Sequence, residues 1–312
     1  MQAMIVNHRD SKLMNTRKIK ALLGASAIVS LIFAAGQPAN AGTLVGDWNY
    51  TIDSFQDGSG GQKYDIKGMA IKETADSIFV ALTGGTPLAG HTDTRAVGDS
   101  IGWGDAFFNF SGKDFQTALA DGDIIGVKFA EENDTDLATG VYQVDSLTSI
   151  TTQNRGYSNL KKYFNKFGDK ANMGDLQTHD EAYRYLYGDA VANNPTRQNT
   201  KLNNVIGSGT RLGDVELLNF AGLTSEGLDF AAVPGGMFDT HTFGFRFDRS
   251  YVDGLSDEYI AHLLLECAND GIALTGEFQP VPESASSLFG FAAVGLALAG
   301  TGLKRRKQQS NR

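Results

Sequence analysis

The chain has 312 residues, of which 27 are Lys or Arg and 36 are Asp or Glu. Ten of the basic residues but only one acidic residue lie before residue 42 or after residue 303, which leaves the stretch between them with a net charge of −18. Such a body repels nucleic acid and anionic lipid headgroups, so we expect no nucleic-acid partner, and it favours solubility and divalent cations. The only cysteine, Cys267, excludes an intrachain disulfide, and the fold must therefore be held by its hydrophobic core.

The N-terminal segment has the three-part pattern of a secretory signal peptide. A basic stretch at 17–20 is followed by an uncharged, largely apolar run at 21–36 and then by Ala39 and Ala41 in a small-x-small cleavage pattern. The apolar run is shorter than the roughly 20 residues of a stable membrane span. We therefore predict that residues 1–41 are removed by signal peptidase after Ala41; a retained N-terminal anchor is the alternative.

Between residues 42 and 154, apolar and polar residues alternate along short stretches, a pattern typical of half-buried β-strands. Glycine-rich turns separate these stretches. The predicted strands are 48–52, 64–67, 77–82, 124–130 and 140–144.

The middle of the chain has a different pattern. Leu160, Tyr163, Phe164 and Phe167 recur at helical spacing, and a second helical stretch is predicted at 174–187. We interpret residues from about 155 to 204 as a helical insertion packed on one end of a β-rich domain.

The C-terminal part of the body returns to strands, predicted at 240–248, 259–267 and 271–278, with a turn at Asn269-Asp270-Gly271. Its clearest alternation places Phe243, Phe245 and Phe247 on one face. Many short strands with glycine-rich turns predict a mostly β fold, a jelly-roll-like β-sandwich, as one extracellular domain over residues 42–280.

The sequence contains no nucleophile elbow, no zinc-binding histidine spacing and no phosphate-binding glycine motif, so we expect a non-enzymatic protein. A polysaccharide-acting hydrolase would need two facing carboxylates, and the many acids neither select nor exclude such a pair. A carbohydrate-binding module is the other alternative: Trp103, flanked by two glycines, is either an exposed platform for sugars or a core residue.

Two acidic loops are candidates for calcium. Asp53 and Asp57 lie in a glycine-rich loop, and Glu266, Asn269 and Asp270 surround the last predicted turn. Calcium prefers several oxygen ligands of this kind, although neither loop follows the twelve-residue EF-hand spacing. Ordinary solvated turns are the alternative interpretation of both loops.

The C-terminus has its own three-part order. Pro282 and Glu283 precede an uncharged run at 288–303, long enough as a helix to span about 24 Å. A basic cluster follows directly, at Lys304, Arg305, Arg306 and Lys307. Basic residues mark the cytoplasmic flank of a membrane helix, so this segment would anchor a precursor with its body outside.

This order resembles the Pro-Glu-Pro sorting tail of exosortase substrates, with Ser284 in place of the second proline. The resemblance implies that residues 281–312 are a sorting signal processed by an exosortase-type membrane peptidase. Segments 44–50, 101–105, 242–250, 261–263 and 266–271 also look like those of cyanobacterial exosortase-dependent surface proteins. This resemblance of the body implies an exported cell-surface or extracellular-matrix protein, with extracellular polysaccharide as a candidate partner. The resemblance implies no reaction.

Overall fold

The computed structural model describes residues 42–168 and 171–278. The predicted signal peptide at 1–41, with Ala39 and Ala41, and the predicted sorting signal at 281–312, with its motif, helix and basic cluster, lie outside the described residues and remain predictions. Within the described ranges, no helix combines the length and apolar character needed to cross a membrane.

The described chain is mostly β, as predicted. The strands are β1 (Thr43–Val45), β2 (Trp48–Ile52), β3 (Ile66–Glu73), β4 (Ser77–Gly84), β5 (His91–Thr92), β6 (Ser100–Ile101), β7 (Ala106–Asn109), β8 (Ile124–Lys128), β9 (Gly140–Thr148), β10 (Val205–Gly213), β11 (Val215–Asn219), β12 (His241–Asp248), β13 (Glu258–Leu264) and β14 (Gly271–Glu277). The α-helices are α1 (Phe115–Asp121), α2 (Leu160–Phe167), α3 (His179–Tyr187), α4 (Asp189–Ala192) and α5 (Phe220–Ser225).

Two antiparallel six-stranded sheets form the body. The first has the order β1-β2-β3-β4-β12-β11 and the second the order β10-β9-β8-β7-β13-β14, while β5 and β6 pair separately. Strands β1 to β4 and strands β7 to β10 each stay within one sheet, whereas the chain crosses between the sheets from β10 to β11 and from β12 to β13. The mostly β, antiparallel character of the predicted fold is thus confirmed, and its jelly-roll-like part stays a prediction.

Aromatic side chains fill the space between the two sheets. The Phe243, Phe245 and Phe247 face of β12 is buried, as its alternation predicts. Phe245 stacks on Phe129 at a centroid distance of 4.8 Å, and Phe247 meets Phe108 of the second sheet edge-on at 5.6 Å. The inner faces of both sheets thus share one hydrophobic core.

The predicted helical insertion covers the outer face of the second sheet. Helix α2 starts where predicted, with the Asn159 side chain accepting a hydrogen bond from the Lys162 amide. Helix α3 begins at His179 rather than 174, because Thr178 and Glu181 form a capping box there. Tyrosines and phenylalanines of both helices are buried against β7, β9 and β13 in a second core.

The predicted strand 259–267 is also shorter than expected, since β13 ends at Leu264. The chain turns back immediately afterwards: the Ala268 amide donates to the Leu265 carbonyl at 2.8 Å, and Ala268 has a φ of +48°. This turn carries Asp270 to the start of β14.

His262 lies inside the second core, where Tyr185 is 2.9 Å from its Nδ1 and the ring stacks on Phe107. Burial lowers the pKa of His262 to about 3. The unfolded chain binds a proton at this residue below about pH 6.5 and the folded chain does not, so stability is lost as the pH falls from about 6.5 towards 3.

We expect His262→Gln to reduce this acid sensitivity. The fall in melting temperature between pH 6.5 and 4.5 should be smaller in the variant than in the natural protein, measured by calorimetry. Tyr185→Phe, which keeps the imidazole and removes only the hydroxyl, should retain the natural acid sensitivity. Equal slopes in the natural protein and His262→Gln would contradict this assignment.

Candidate metal centre

The structure brings the two predicted acidic loops together. Asp53 directly follows β2, Asp57 lies in the loop after it, and Asp270 directly precedes β14. One oxygen from each of these three carboxylates lies within 4.8 Å of the other two. The cluster therefore joins an end of the first sheet to the last turn of the second.

The three carboxylates are buried, and two of them keep an oxygen without a hydrogen-bond partner in the described residues. Asp57 and Asp270 are 0% exposed and Asp53 is 4% exposed. The Gly174 amide donates to Asp53 Oδ1 at 2.8 Å, and the Ile66 amide donates to Asp270 Oδ2 at 2.6 Å. Asp53 Oδ2 and Asp57 Oδ1 have no hydrogen-bond partner in the described part of the chain.

The insertion supplies a hydroxyl to the same cluster. Tyr163 of α2 places its hydroxyl 3.2 Å from Asp57 Oδ2 and 3.1 Å from Asp270 Oδ1. A hydroxyl has one proton to donate, so it cannot neutralise two carboxylates. The nearby Lys67 forms a buried ion pair with Asp65 and is thereby compensated by a fourth carboxylate.

Burial raises the pKa of each carboxyl in the cluster, and the neighbouring negative charges raise it further. Desolvation and the charges of Asp270 and Asp57 hold the pKa of Asp53 well above its usual value. Desolvation and the charge of Asp65 raise the pKa of Asp57 to about 7. Desolvation and the charge of Asp57 likewise raise the pKa of Asp270. Without protons or a cation, three ionised groups here are costly.

The donor set fits a hard divalent cation. A calcium ion sits about 2.3–2.6 Å from each oxygen ligand, so oxygens up to about 5 Å apart can share one ion. All three side chains are oxygen donors from a cluster within that span, whereas structural zinc sites use mainly Cys and His. Asp53, Asp57 and Asp270 are therefore the residues that would hold calcium.

The buried carboxyl of Asp105 provides a contrast, because the positive charge of Lys128 acts on it. Asp105 is fully buried, but the Asn133 side chain donates to Asp105 Oδ1 at 2.8 Å and the Ile206 amide donates to Asp105 Oδ2 at 2.7 Å. Burial raises the pKa of Asp105 to about 7, while the charge of Lys128 opposes the shift. Among the described residues, Asp105 belongs to no group of three potential ligands, so this network does not offer the set of donors that a metal needs.

The other two predicted ligands have different roles. Glu266 accepts from the Gly102 amide at 2.5 Å and from the Asp134 amide at 3.0 Å, and burial raises its pKa to about 7. Asn269 exchanges two hydrogen bonds with Ser59, donating to its carbonyl at 2.6 Å and accepting from its amide at 2.9 Å. Glu266 thus fixes two loops and Asn269 ties the acidic loops together, and neither belongs to the carboxylate cluster.

Two other candidates from the sequence lie in the core. Trp103 is 1% exposed, so the interpretation of this residue as a surface platform for sugars is wrong and the core interpretation is confirmed. Cys267 is fully buried, and burial raises the pKa of its thiol to about 12. A thiol in this state is inert.

Comparison of the chain with protein-family models, curated proteins and solved structures found no match. The carboxylate cluster and its surroundings therefore carry the functional argument.

Proposed function

We propose that residues 42–278 form a non-enzymatic structural body of an exported cell-surface or extracellular-matrix protein, and that one calcium ion bound by Asp53, Asp57 and Asp270 braces it. The observation that carries the proposal is the pair of buried carboxylate oxygens, on Asp53 and Asp57, that lack a hydrogen-bond partner in the described residues.

The position of the cluster favours a structural role. Asp53 directly follows a strand of the first sheet, Asp270 directly precedes a strand of the second, and Tyr163 belongs to the helical layer that covers the second sheet. An ion at this point ties all three layers together. The carboxylates are also buried, whereas the acids of a glycosidase flank a bound sugar chain.

Export is consistent with an ion of this kind. Calcium sites of extracellular modules bind with dissociation constants of roughly 10⁻⁴ to 10⁻³ M, which suits the calcium levels outside cells. The signal-like N-terminus and the tail that resembles an exosortase sorting signal would deliver the body to that compartment. The membrane helix at 288–303 would hold the precursor until the peptidase acts near Glu283.

We expect the protein isolated from the surface of its native host to begin at Gly42, to lack the basic cluster at 304–307 and to contain one equivalent of calcium. Intact-mass and metal analysis of the same sample measure all three. Glu283→Gln should leave unprocessed precursor in the membrane, because the sorting motif is altered, while Glu277→Gln serves as a control. A surface protein that retains residues 304–307 would refute processing, and a metal-free surface protein would refute the calcium brace.

The hydrolase alternative has a separate test. Turnover of polysaccharide by the purified protein, abolished by a double substitution of acidic residues, would refute the non-enzymatic role.

A further inference from the structure

A polar cleft of about 400 Å³ lies beside the carboxylate cluster, against the loops that carry Ser59 and Asn269. Lys63, Arg95 and Arg155 line it, together with Asp93 and the rings of Tyr64 and Tyr157. Three basic residues thus converge on one cleft of a body that is otherwise strongly acidic.

The cations of the cleft are only partly neutralised. Arg95 donates to both oxygens of Asp93 at 3.0 Å, and Arg155 Nε lies 3.9 Å from the same carboxylate. Lys63 Nζ lies 4.6 Å above the Tyr64 ring, a cation–π arrangement that leaves the charge in place. The lining thus contains one carboxylate and three cations, two of which contact that carboxylate, and the Arg95 and Arg155 side chains are 65% and 45% exposed.

The segment that carries Arg155 is firmly held. Asn154 is fully buried and donates to Asp134 at 2.8 Å, while its own Oδ1 has no partner in the described ranges. The Tyr157 amide donates to the Cys267 carbonyl at 3.0 Å. Arg155 itself has a φ of +61°, a conformation that side chains other than glycine seldom adopt and that often marks functional positions.

We propose that this cleft binds an acidic sugar: the carboxylate or sulfate group of a polysaccharide at Arg155 and Lys63, with the adjoining sugar against the Tyr157 ring. Guanidinium and ammonium groups form strong charge-assisted hydrogen bonds with such anions. The Asn154 side chain also lines the cleft, and its Oδ1, which has no partner in the described ranges, is the atom that suits a sugar hydroxyl.

The charge of the whole body narrows the ligand class further. A polyanion would be repelled at long range by the net negative charge, although salt limits that repulsion to about 8 Å at physiological ionic strength. A single acidic group on an otherwise neutral chain meets only the local positive cleft. The preferred ligand is therefore a glycan whose acidic sugars are separated by neutral ones. This site requires no metal and stands apart from the calcium proposal.

Calorimetric titration of the exported protein with three trisaccharides tests the assignment. One ends in glucuronate, the second is its uncharged methyl ester, and the third carries a sulfate ester in place of the carboxylate. We expect one or both charged trisaccharides to bind and the methyl ester to bind at least about tenfold more weakly. The two charged arms identify which anion the cleft prefers.

Substitutions locate the binding to the cleft. Arg155→Gly removes the guanidinium and suits the positive φ, so the fold should be kept, and affinity should fall by about tenfold or more. Lys63→Gln should also weaken binding. Arg197→Gln changes the net charge equally on an exposed helical-layer residue outside the cleft and should have no effect. Absence of binding at millimolar trisaccharide, equal binding of the methyl ester, or unchanged affinity in Arg155→Gly would overturn the proposal.

Discussion

Removal of calcium from the exported protein should lower its melting temperature by about 5–10 °C. An ion that binds only the folded state stabilises it by about 2.7 kcal/mol at a hundred times its dissociation constant. For a body of this size, each kcal/mol moves the melting temperature by roughly 2–4 °C. Differential scanning calorimetry in calcium, in magnesium and in chelator measures the shift. Identical melting temperatures in calcium and in chelator would contradict calcium binding by the acidic loops.

The increase in melting temperature that calcium causes should be larger at pH 8 than at pH 5. In chelator, the raised pKa of Asp53, Asp57 and Asp270 means that folding takes up protons, so the stability these groups contribute at low pH is lost as the pH rises through about 7, the pKa of Asp57. Calcium replaces those protons and prevents the loss. Asp65, Lys67 and Tyr163 face the same cluster, and the Asp65–Lys67 pair is present with or without the ion.

Asp57→Asn separates a calcium site from an ordinary buried turn. In chelator at pH 8 the variant should be more stable than the natural protein, because one of three repelling charges is gone. In calcium it should be less stable, because a charged ligand is gone. Asp105→Asn is the matched control, since Asp105 is another buried carboxyl with its pKa raised to about 7. That control should be stabilised by calcium as much as the natural protein is. If Asp57→Asn is not more stable than the natural protein in chelator and less stable in calcium, the calcium site is contradicted.

The residues of the cluster could be predicted from sequence, but their proximity in the folded protein could not. Asp53, Asp57 and Asp270 each stand beside a turn, where acidic residues are easy to recognise as metal-ligand candidates. More than 200 residues separate Asp57 from Asp270, and only the packing of the two sheets brings them together. Tyr163 was expected from its spacing to be a core residue of a helix, and its buried hydroxyl gives it a second role.

The predictability of the fold follows the strength of the local pattern. The aromatic alternation of β12 defines it to within one residue, whereas β10 and β11 were not predicted because glycine and polar residues interrupt their alternation. The start of α3 could have been found, since Thr178 and Glu181 have capping-box spacing. The role of Glu266 could not be predicted, because the backbone amides that it accepts from, those of Gly102 and Asp134, are distant in sequence.

Trp103→Ala should destabilise the protein by about 3–5 kcal/mol, because removing a large buried aromatic leaves a cavity that the core only partly closes. The ring contacts Phe243 at 5.3 Å and Phe129 at 6.4 Å, and its Nε1 donates to the Pro87 carbonyl at 3.0 Å. Calorimetry or denaturant unfolding gives the loss directly.

Two further variants fix the interpretation of Trp103. Trp103→Phe keeps much of the ring volume and should lose less stability than the alanine variant. Phe220→Ala alters an aromatic that is 47% exposed, so it should cost far less than Trp103→Ala. A Trp103→Ala protein with natural stability and weakened glycan binding would contradict the core role and return Trp103 to the surface. With the core role upheld, acidic glycan binding should be unaffected by Trp103→Phe, because the cleft that we assign to the sugar is lined by Arg155 and Tyr157 instead.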